Sequence, residues 1–220
     1  MGTMNNGISV WEDLKNAYEG DSCFILGNGG SLANEDSRFL KSLPCFGTNR
    51  IYLKLVPDFY VCVNPYVAEQ YKDDIEKMPT LKFVTDRVEI PGCIPLHSTP
   101  ARIFSRDPEK HIYEGYTVTY VCMQLAYYMG FREVFLFGVD HSYKFKGEPN
   151  ETLVAEGKDP NHFDPDYFTG GKLWNAPDLA ESEKSYTIAK RVFEADHRKI
   201  YNCTPGSKLD VFERRAGLWD

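Results

Sequence analysis

The sequence predicts a single Rossmann-like α/β domain over residues 1–220, built on a mostly parallel sheet with helices on both faces and a long lid-like loop. Short apolar runs alternate with stretches of helical periodicity, which is the pattern of strand–helix–strand units. The runs are apolar at successive positions, as in strands that are covered on both faces of a parallel sheet. A chain of 220 residues is long enough for one such domain with a full core.

Six apolar runs bounded by turn-forming residues are the predicted strands. They lie at 23–26, 45–49, 59–63, 81–85, 133–137 and 199–203. The amphipathic stretches between them are the predicted helices, and the strongest of these is followed by Gly130 as its C-terminal stop. The helices lie at 10–18, 36–42, 66–77, 117–129 and 178–195. Asp178 and Glu181 are a capping-box-like pattern, which predicts the start of the last helix.

Two long stretches lack a clear periodicity. Residues 87–115 are rich in proline and charge, and we expect an irregular connection there. Residues 141–177 contain many Gly, Pro, Asn, Asp and His residues. A structureless segment of this length inside a domain is typical of a functional lid or binding loop. The sequence therefore predicts that 141–177 is a lid that contacts an acceptor.

Composition limits the partners and the compartment. The net charge of −7 at pH 7 excludes a nucleic-acid partner as a class, because such a protein needs a basic surface. The six cysteines form no Cys-x-x-Cys pair and lie mostly in apolar runs, which predicts a reduced, cytoplasmic protein. No apolar run approaches the roughly 20 residues that span a bilayer, and the N-terminus lacks a signal-peptide pattern. We expect a cytoplasmic homo-oligomer, and any contact with the membrane would have to be peripheral, at its inner face.

The first predicted strand runs into a glycine-rich turn, and a helical pattern follows from Leu32. The turn consists of Gly27, Asn28, Gly29, Gly30 and Ser31. Glycines let the backbone approach an anion, and the first N–H groups of a following helix point at it. The turn therefore predicts a phosphate-bearing ligand without identifying it. Packing between strand and helix is the alternative explanation of the glycines.

Polar side chains follow several predicted strands at the point where each strand ends. Asn28, Asn49 and Asn64 follow the first three strands, and Asp140 follows the strand at 133–137. Ligands of parallel sheets bind beyond the carboxyl ends of the strands. An amide carries a donor and an acceptor, so it can bind a base, a ribose or a phosphate. Turn formation explains any one asparagine, whereas the set of three predicts one nucleotide crevice.

Several segments occur in an order that resembles a known superfamily. They are LGNGGSL at 26–32, GTNRIY at 47–52, VNP at 63–65 with EQY at 69–71, YVC at 120–122 and GVD at 138–140. The set resembles the bacterial sialyltransferases that act on lipooligosaccharide. It also resembles a related group that contains flagellin nonulosonate transferases and archaeal 6-hydroxymethylpterin diphosphokinases. The resemblance extends from about residue 24 to about residue 205.

The resemblance implies a site for the CMP part of a CMP-linked sugar. The residues that match this site are Asn28, Asn49, Asn64 and Thr117, with Tyr143 as a looser match near the leaving phosphate. Three positions depart from the family pattern. Gly30 stands where a proline is usual, and the position of an expected arginine falls near Glu114. The family's general-base histidine falls near 175–177, where this sequence has none.

The loop segment at 159–168 offers a replacement for that base. A near-neutral imidazole suits the removal of a hydroxyl proton, so His162 is one candidate base, and His141, directly after Asp140, is the other. Asp159, Asp164 and Asp166 with His162 also suggest a divalent metal site, but the proline spacing does not bring these side chains together by necessity. We therefore predict no metal site and no required cofactor.

Tyr167 and Trp174 are candidates for an acceptor-sugar platform, and packing of the loop onto the sheet is the alternative. The first predicted function is transfer of a nonulosonic-acid-type sugar from a CMP-linked donor to a glycan acceptor in one inverting step. The first alternative is an ATP- and Mg²⁺-dependent diphosphokinase of the 6-hydroxymethylpterin type, with Asp140 near the phosphates. The second alternative is a nucleotide-binding module without turnover.

Overall fold

The computed structural model describes residues 9–144 and 146–216. Twelve strands and five α-helices occur in these ranges. The strands are Ser22–Leu26 (β1), Cys45–Thr48 (β2), Phe59–Cys62 (β3), Leu81–Thr85 (β4), Ile94–Leu96 (β5), Ser98–Thr99 (β6), Ile112–Tyr113 (β7), Glu133–Phe137 (β8), Thr152–Val154 (β9), Leu173–Asn175 (β10), Lys199–Asn202 (β11) and Glu213–Arg214 (β12). The helices are Val10–Leu14 (α1), Pro65–Gln70 (α2), Lys72–Lys77 (α3), Val118–Tyr128 (α4) and Leu179–Ala195 (α5).

Eight strands form one sheet in the order β12-β11-β8-β1-β2-β3-β4-β5. Every neighbouring pair in this sheet is parallel. The chain moves outward from β1 through β5, then returns to the other side of β1 to form β8. The carboxyl ends of β1 and β8 therefore lie at a switch in strand order, where open α/β sheets bind their ligands.

Helices cover both faces of the sheet, as the apolar runs predict. In β1, Cys23 and Ile25 pack on the side of α1, α4 and α5, whereas Phe24 and Leu26 pack on the side of α2 and α3. Both sets are fully buried because side chains alternate between the faces of a strand. The predicted Rossmann-like α/β fold is confirmed.

The six predicted strands occur with boundaries that agree within one residue. Four of the helix predictions need correction. The helix predicted at 10–18 ends at Leu14, because Lys15 has an extended backbone. The stretch at 66–77 is two helices, because Tyr71 has a φ of −127° and interrupts the helical backbone. The turn after β1 leads into a five-residue 3₁₀ helix, Gly30–Asn34, and 36–42 contains only a short 3₁₀ turn, Phe39–Lys41.

The regions without periodicity contain short strands that the sequence did not reveal. β5 extends the sheet beyond β4, and β6 pairs with β7. Within the predicted lid at 141–177, β9 and β10 form an antiparallel pair. Strands of two or three residues leave too few positions for a recognisable alternation.

Candidate functional site

A crevice opens at the carboxyl ends of β1, β2 and β8. Its volume is about 100 Å³, several times the space that one water molecule requires. Nine of the predicted site residues line it: Gly27, Asn28, Gly29, Asn49, Thr117, Asp140, His141, Tyr143 and His162. Side chains that are distant in sequence therefore meet at the place that the strand order predicts.

Gly27 is required for the close approach of two strand ends. A Cβ atom on Gly27 would lie 2.3 Å from the main-chain oxygen of Gly138, which is too close for any side chain. The main-chain N–H of Gly27 donates to the Phe137 oxygen at 2.8 Å, which continues the pairing of β1 with β8. Packing thus explains Gly27, which is the alternative that the sequence left open.

The rest of the glycine-rich turn binds a carboxylate of the protein itself. The main-chain N–H of Ser31 donates to Asp140 Oδ2 at 3.0 Å, and the Ser31 hydroxyl donates to Oδ1. A Cβ atom on Gly29 would lie 2.5 Å from the Asp140 carboxyl carbon. The predicted phosphate cradle of Gly29, Gly30 and Ser31 is therefore occupied by Asp140, and the 3₁₀ helix that follows is too short to supply a helix dipole.

Asn28 lines the crevice and has an amide oxygen without a partner among the described residues. Its Nδ2 atom donates to the Thr48 main-chain oxygen at 3.0 Å and to the Thr48 hydroxyl at 2.8 Å. Because a main-chain oxygen can only accept, these bonds fix the orientation of the amide. The residue is 9% exposed, and its Oδ1 atom is buried with no hydrogen-bond partner among the described residues. An unpaired buried acceptor is costly, which indicates a ligand donor at this position.

Asn49, at the end of the neighbouring strand, also has an amide oxygen without a partner among the described residues. Its backbone has a φ of +51°, a left-handed conformation that asparagine tolerates better than most residues. Its Oδ1 atom is also buried and lacks a partner within the described ranges. Two unpaired amide oxygens in one crevice can accept from hydroxyl or amino groups of one ligand.

Asn64 lies outside this crevice and has a structural role. Its Oδ1 atom accepts the N–H of Tyr66 at 2.9 Å, so Asn64 is the N-cap of α2. Its Nδ2 atom donates to Asn175 Oδ1 at 2.9 Å and ties α2 to β10. The expectation that three strand-end asparagines share one crevice is therefore wrong for Asn64, because capping directs its amide toward a helix.

The N-terminus of α4 forms another wall of the crevice. Thr117 is its N-cap, and residues 116–119 line the cavity. The Thr117 hydroxyl lies 3.3 Å from the hydroxyl of Tyr186, which α5 holds almost fully buried. The first turn of an α-helix of 11 residues carries unpaired N–H groups and a partial positive charge. This end of α4, rather than the glycine-rich turn, is placed to face an anion.

Residues 159–168, here called the strap, contribute Asn161 and His162 to the lining of the crevice. The strap is joined to the glycine-rich turn by a β-bridge between Gly29 and His162. The Phe163 N–H also donates to the main-chain oxygen of Asn28 at 3.0 Å. This fastening places the His162 ring in the crevice. Pro177 also lines the crevice, so His162 occupies the same cavity that the expected histidine near 175–177 would reach.

His162 and Asp159 form a pair within the strap. His162 Nδ1 lies 2.8 Å from Asp159 Oδ2, and the two side chains are 9% and 5% exposed. Burial raises the pKa of the Asp159 carboxyl, but its hydrogen bond to His162, the His162 charge and two main-chain N–H donors outweigh burial and hold that pKa below its usual value. Asp159 is therefore ionised at neutral pH.

His141 and Tyr143 lie on the other side of the cavity. His141 has a φ of +53°, and its Nε2 atom lies 2.9 Å from Glu183 Oε1 on α5. Burial is the main cause that raises the pKa of the Tyr143 hydroxyl, which keeps it a neutral hydrogen-bond donor. Both residues therefore reach the crevice, and His141 does so with one ring nitrogen already engaged.

The two predicted acceptor residues do not form a platform in the crevice. Tyr167 is completely buried, and its hydroxyl accepts the Arg50 main-chain N–H at 3.0 Å. It cannot contact a sugar, and the prediction that it binds the acceptor is wrong because the strap buries its ring against His162. Trp174 lines a separate hollow behind the strap and stacks on Phe168, with ring centroids 6.3 Å apart.

The strap carboxylates point to different partners. Asp166 pairs with Lys158 at 2.6 Å, Asp164 accepts the Asp166 N–H at 2.8 Å, and Asp159 binds His162. Within 9–144 and 146–216, no three His, Cys, Asp or Glu side chains are grouped to hold a metal ion. In the same part of the chain, no helix has the length and apolar character needed to cross a bilayer.

The fold and the crevice define an α/β protein with a parallel sheet and a candidate site at the switch in strand order. Residues 3–146 match the family described as 6-hydroxymethylpterin diphosphokinase MptE-like. The chain therefore belongs to this family, and the resemblance read from its segments is confirmed at that level. A comparison with curated proteins finds no match.

A solved structure shares the fold. It is the MAf glycosyltransferase from Magnetospirillum magneticum AMB-1, which matches with a TM-score of 0.57 and 16% identity. The match covers 92% of this chain and 35% of that glycosyltransferase, so this chain spans about a third of its length. At this identity the similarity shows a shared fold and no more.

Sequence reasoning considered Asp159 only as a metal ligand and missed its pairing with His162. The sequence Asp159-Pro160-Asn161-His162 is the pattern that could have revealed this pair, because an aspartate often accepts the N–H two residues later and forms a turn. In the structure the Asp159 carboxylate accepts the Asn161 N–H at 2.8 Å. It also missed Ser182 and Leu179, which α5 brings to the crevice. No local pattern distinguishes these two from other helix residues.

Proposed function

We propose that this chain is a glycosyltransferase that moves a nonulosonic-acid-type sugar from a CMP-linked donor to a glycan acceptor in one inverting step. The observation that carries the proposal is the combination of unpaired amide oxygens on Asn28 and Asn49 with the His162 ring in one crevice. A nucleotide-sugar transfer needs both parts, a polar nucleotide site and a base beside it. The shared fold with a glycosyltransferase supports the same reaction class.

The nucleotide is proposed to lie across the carboxyl ends of β1 and β2. The Asn28 and Asn49 oxygens accept from base or ribose donors, and they lack other partners among the described residues. The phosphate lies at the N-terminus of α4 beside Thr117, where helix N–H groups favour an anion. Tyr143 lines the same cavity and donates to the leaving phosphate.

The acceptor hydroxyl is activated by a histidine of the crevice. His162 removes the proton as the oxygen attacks the anomeric carbon, and the bond from that carbon to the CMP phosphate oxygen breaks. His141 is the other candidate base, and its Nε2 atom is engaged by Glu183. The departing group is a nucleoside monophosphate that hydrogen bonds stabilise, so the proposed reaction requires no cofactor.

The acceptor is proposed to approach over the strap. The hollow behind the strap shares Asn161 with the crevice and is lined by the Trp174 ring. It also contains Lys144, Lys146 and Lys158, of which Lys158 pairs with Asp166, together with Glu156 and Asp159. An aromatic face with a few polar groups of both charges suits a sugar.

ATP-dependent diphosphate transfer to a 6-hydroxymethylpterin is the second candidate function. The description of the family favours it. Such a reaction uses Mg²⁺ held by one or two carboxylates and by the phosphates. Asp140 is the acidic residue that lines the crevice, but both of its oxygens accept from Ser31. Each Asp140 oxygen thus has one lone pair fewer for Mg²⁺, which favours the first candidate.

Thermal unfolding with CMP, UDP and ATP at equal concentrations tests the two candidates. A ligand at 100 times its Kd adds about 2.7 kcal/mol to the stability of the protein that binds it. Stabilisation by CMP but not by ATP is the expected result, followed by turnover of a CMP-linked nonulosonate. The proposal fails if no cytidine nucleotide binds.

Two other outcomes identify the alternatives. ATP consumption that depends on a hydroxymethylpterin indicates the diphosphokinase. Tight CMP binding without donor hydrolysis, unchanged by His162→Ala and His141→Ala, indicates a binding module without turnover.

A further inference from the structure

The carboxylate of Asp159 is held in one orientation by its own turn. Its Oδ1 atom accepts the N–H of Asn161 at 2.8 Å and the N–H of His162 at 3.2 Å. Oδ2 is left for the imidazole, at 2.8 Å from Nδ1. The main-chain bonds to Oδ1 thus fix the carboxylate so that Oδ2 points at His162 Nδ1.

The imidazole ring is held just as firmly. It stacks on the Tyr167 ring with centroids 4.0 Å apart and an interplanar angle of 6°. Tyr167 is fixed in turn by the Arg50 N–H on its hydroxyl, and the Arg50 guanidinium binds the Tyr167 main-chain oxygen. The ring edge opposite Asp159 carries Nε2, which is left without a protein partner in the described part of the chain. A flip of the ring about its Cβ–Cγ bond would keep the stack but would replace Nδ1 by a carbon atom and so break the bond to Asp159.

An ionised carboxylate only accepts hydrogen bonds, so the neutral imidazole beside it carries its proton on Nδ1. The lone pair is then on Nε2. The corresponding pair at His141 is less constrained, because Glu183 is 50% exposed and engages Nε2 rather than Nδ1. These contacts distinguish two histidines that the sequence left equivalent.

We propose that Asp159 is a positioning residue that fixes the Nδ1–H tautomer of His162 and so makes Nε2 the proton acceptor of the crevice. The chemical use of that acceptor rests on the proposed function. Nε2 takes the acceptor hydroxyl proton as the new carbon–oxygen bond forms and the bond to the CMP phosphate breaks. Asp159 stabilises the imidazolium that results, and the imidazolium later releases its proton to water.

Asp159→Asn provides a sharp test, because the turn dictates how the new amide sits. Its oxygen must face the two main-chain N–H groups, which places the NH₂ group against Nδ1. An NH₂ group donates, so Nδ1 must then carry the lone pair and Nε2 the proton. The substitution keeps the size of the side chain and reverses the tautomer.

The measurement is ¹⁵N NMR of the full chain with labelled histidine, above the titration range of the rings. The chain has five histidines, and His162→Gln assigns the signal of interest. We expect the Nδ1–H signature in the unaltered protein and the Nε2–H signature in Asp159→Asn. Glu183→Gln is the matched control, since it makes the same change beside His141 and leaves the His162 signal in place.

The inference is overturned if His162 shows the Nε2–H tautomer in the unaltered chain, a result that requires no variant to fold. It is also overturned if Asp159→Asn keeps the Nδ1–H signature of His162 while a cooperative thermal unfolding transition shows that the variant is folded. With a CMP-linked donor, Asp159→Asn lowers kcat by about 10²-fold or more with little change in KM. Equal kcat with a reversed tautomer contradicts the role. If the unaltered chain turns over no donor, the proposed function fails and the NMR result alone decides the tautomer.

Discussion

At the scale of single residues, the same amide side chain serves different purposes at neighbouring strand ends. Asn28 and Asn49 line the crevice, and their Oδ1 atoms have no partner among the residues that the structure describes, whereas Asn64 uses its Oδ1 atom to cap α2. What differs is the backbone that follows. Pro65 follows Asn64 and starts a helix, and the free N–H groups of its first turn donate hydrogen bonds to the Asn64 amide oxygen.

Replacement of Asn49 by glycine separates binding from stability. Glycine adopts the φ of +51° without strain, so we expect a change in unfolding free energy of less than about 1 kcal/mol. Loss of one hydrogen bond of about 1–1.5 kcal/mol weakens CMP binding roughly tenfold. Calorimetric titration with CMP and urea unfolding measure the two effects.

Asn16→Gly is the matched control for this exchange. Asn16 is exposed and has a φ of +56°, and it does not line the crevice. We expect the same small effect on unfolding and no effect on CMP binding. Unchanged CMP affinity in Asn49→Gly contradicts the assignment of its amide oxygen to the ligand.

At the scale of elements, the crevice is built by the ends of strands and helices rather than by one motif. β1 and β8 approach closely because Gly27 has no side chain, α4 contributes its N-terminus, and the strap contributes His162. Asn64 also links elements, because its hydrogen bond to Asn175 joins α2 to β10.

Asn64→Ala is expected to lower stability without changing nucleotide affinity. Loss of an N-cap costs about 0.5–2 kcal/mol, and the bond to Asn175 is lost with it. Urea unfolding measures the first effect and CMP titration the second. In Asn64→Asp the cap remains, so most of the loss is recovered. Weaker CMP binding at unchanged stability would instead place Asn64 in the site, as its resemblance to the family implies.

At the scale of the whole molecule, the order of the strands decides where the site lies. The chain leaves β1 in one direction and returns on its other side, so segments around residues 28, 49, 140 and 162 meet at one edge of the sheet. Stability of the whole chain also depends on carboxylates that tie these elements together. Asp58 links Lys41 at 2.6 Å to the start of β2, where it accepts the Cys45 N–H at 2.9 Å.

Asp58 gives the molecule a defined acid sensitivity. Burial raises the pKa of its carboxyl, but the Lys41 ammonium and the Cys45 N–H outweigh burial and hold that pKa below its usual value. A lowered pKa contributes stability above the unfolded value of about 3.9, and this stability is lost as the pH falls through the folded pKa. The pair is partly exposed, so solvent weakens its contribution.

We therefore expect Asp58→Asn to be less stable than the unaltered chain at pH 7. We also expect it to lose less stability as the pH falls from the unfolded pKa of about 3.9 through the lower folded pKa. Urea unfolding at a series of pH values measures this slope. Lys41→Met, which removes the partner, changes the slope in the same direction. Parallel stability curves for Asp58→Asn and the unaltered protein would show that Asp58 does not contribute.

Local patterns were sufficient for much of the fold. The strands at 81–85 and 133–137 and the N-cap Asp178 follow from apolar runs and side-chain caps, which act over a few residues. The position of the crevice follows from those strands once they are known to be parallel. The short pairs β6–β7 and β9–β10 could not be predicted, because their hydrogen bonds join segments whose sequences carry no alternation of their own.

The sequence by itself determined the α/β class and placed Asn28 and Asn49 at strand ends, where both line the crevice; their binding role stays a prediction. Only the tertiary structure decided that the glycine-rich turn holds Asp140, that Tyr167 supports a ring instead of a sugar, and that Asp159 pairs with His162. The physical reason is the range of the forces involved. Periodicity and caps are set by neighbours in the chain, whereas the partner of a buried polar group is whichever donor or acceptor the folded chain brings within hydrogen-bonding distance.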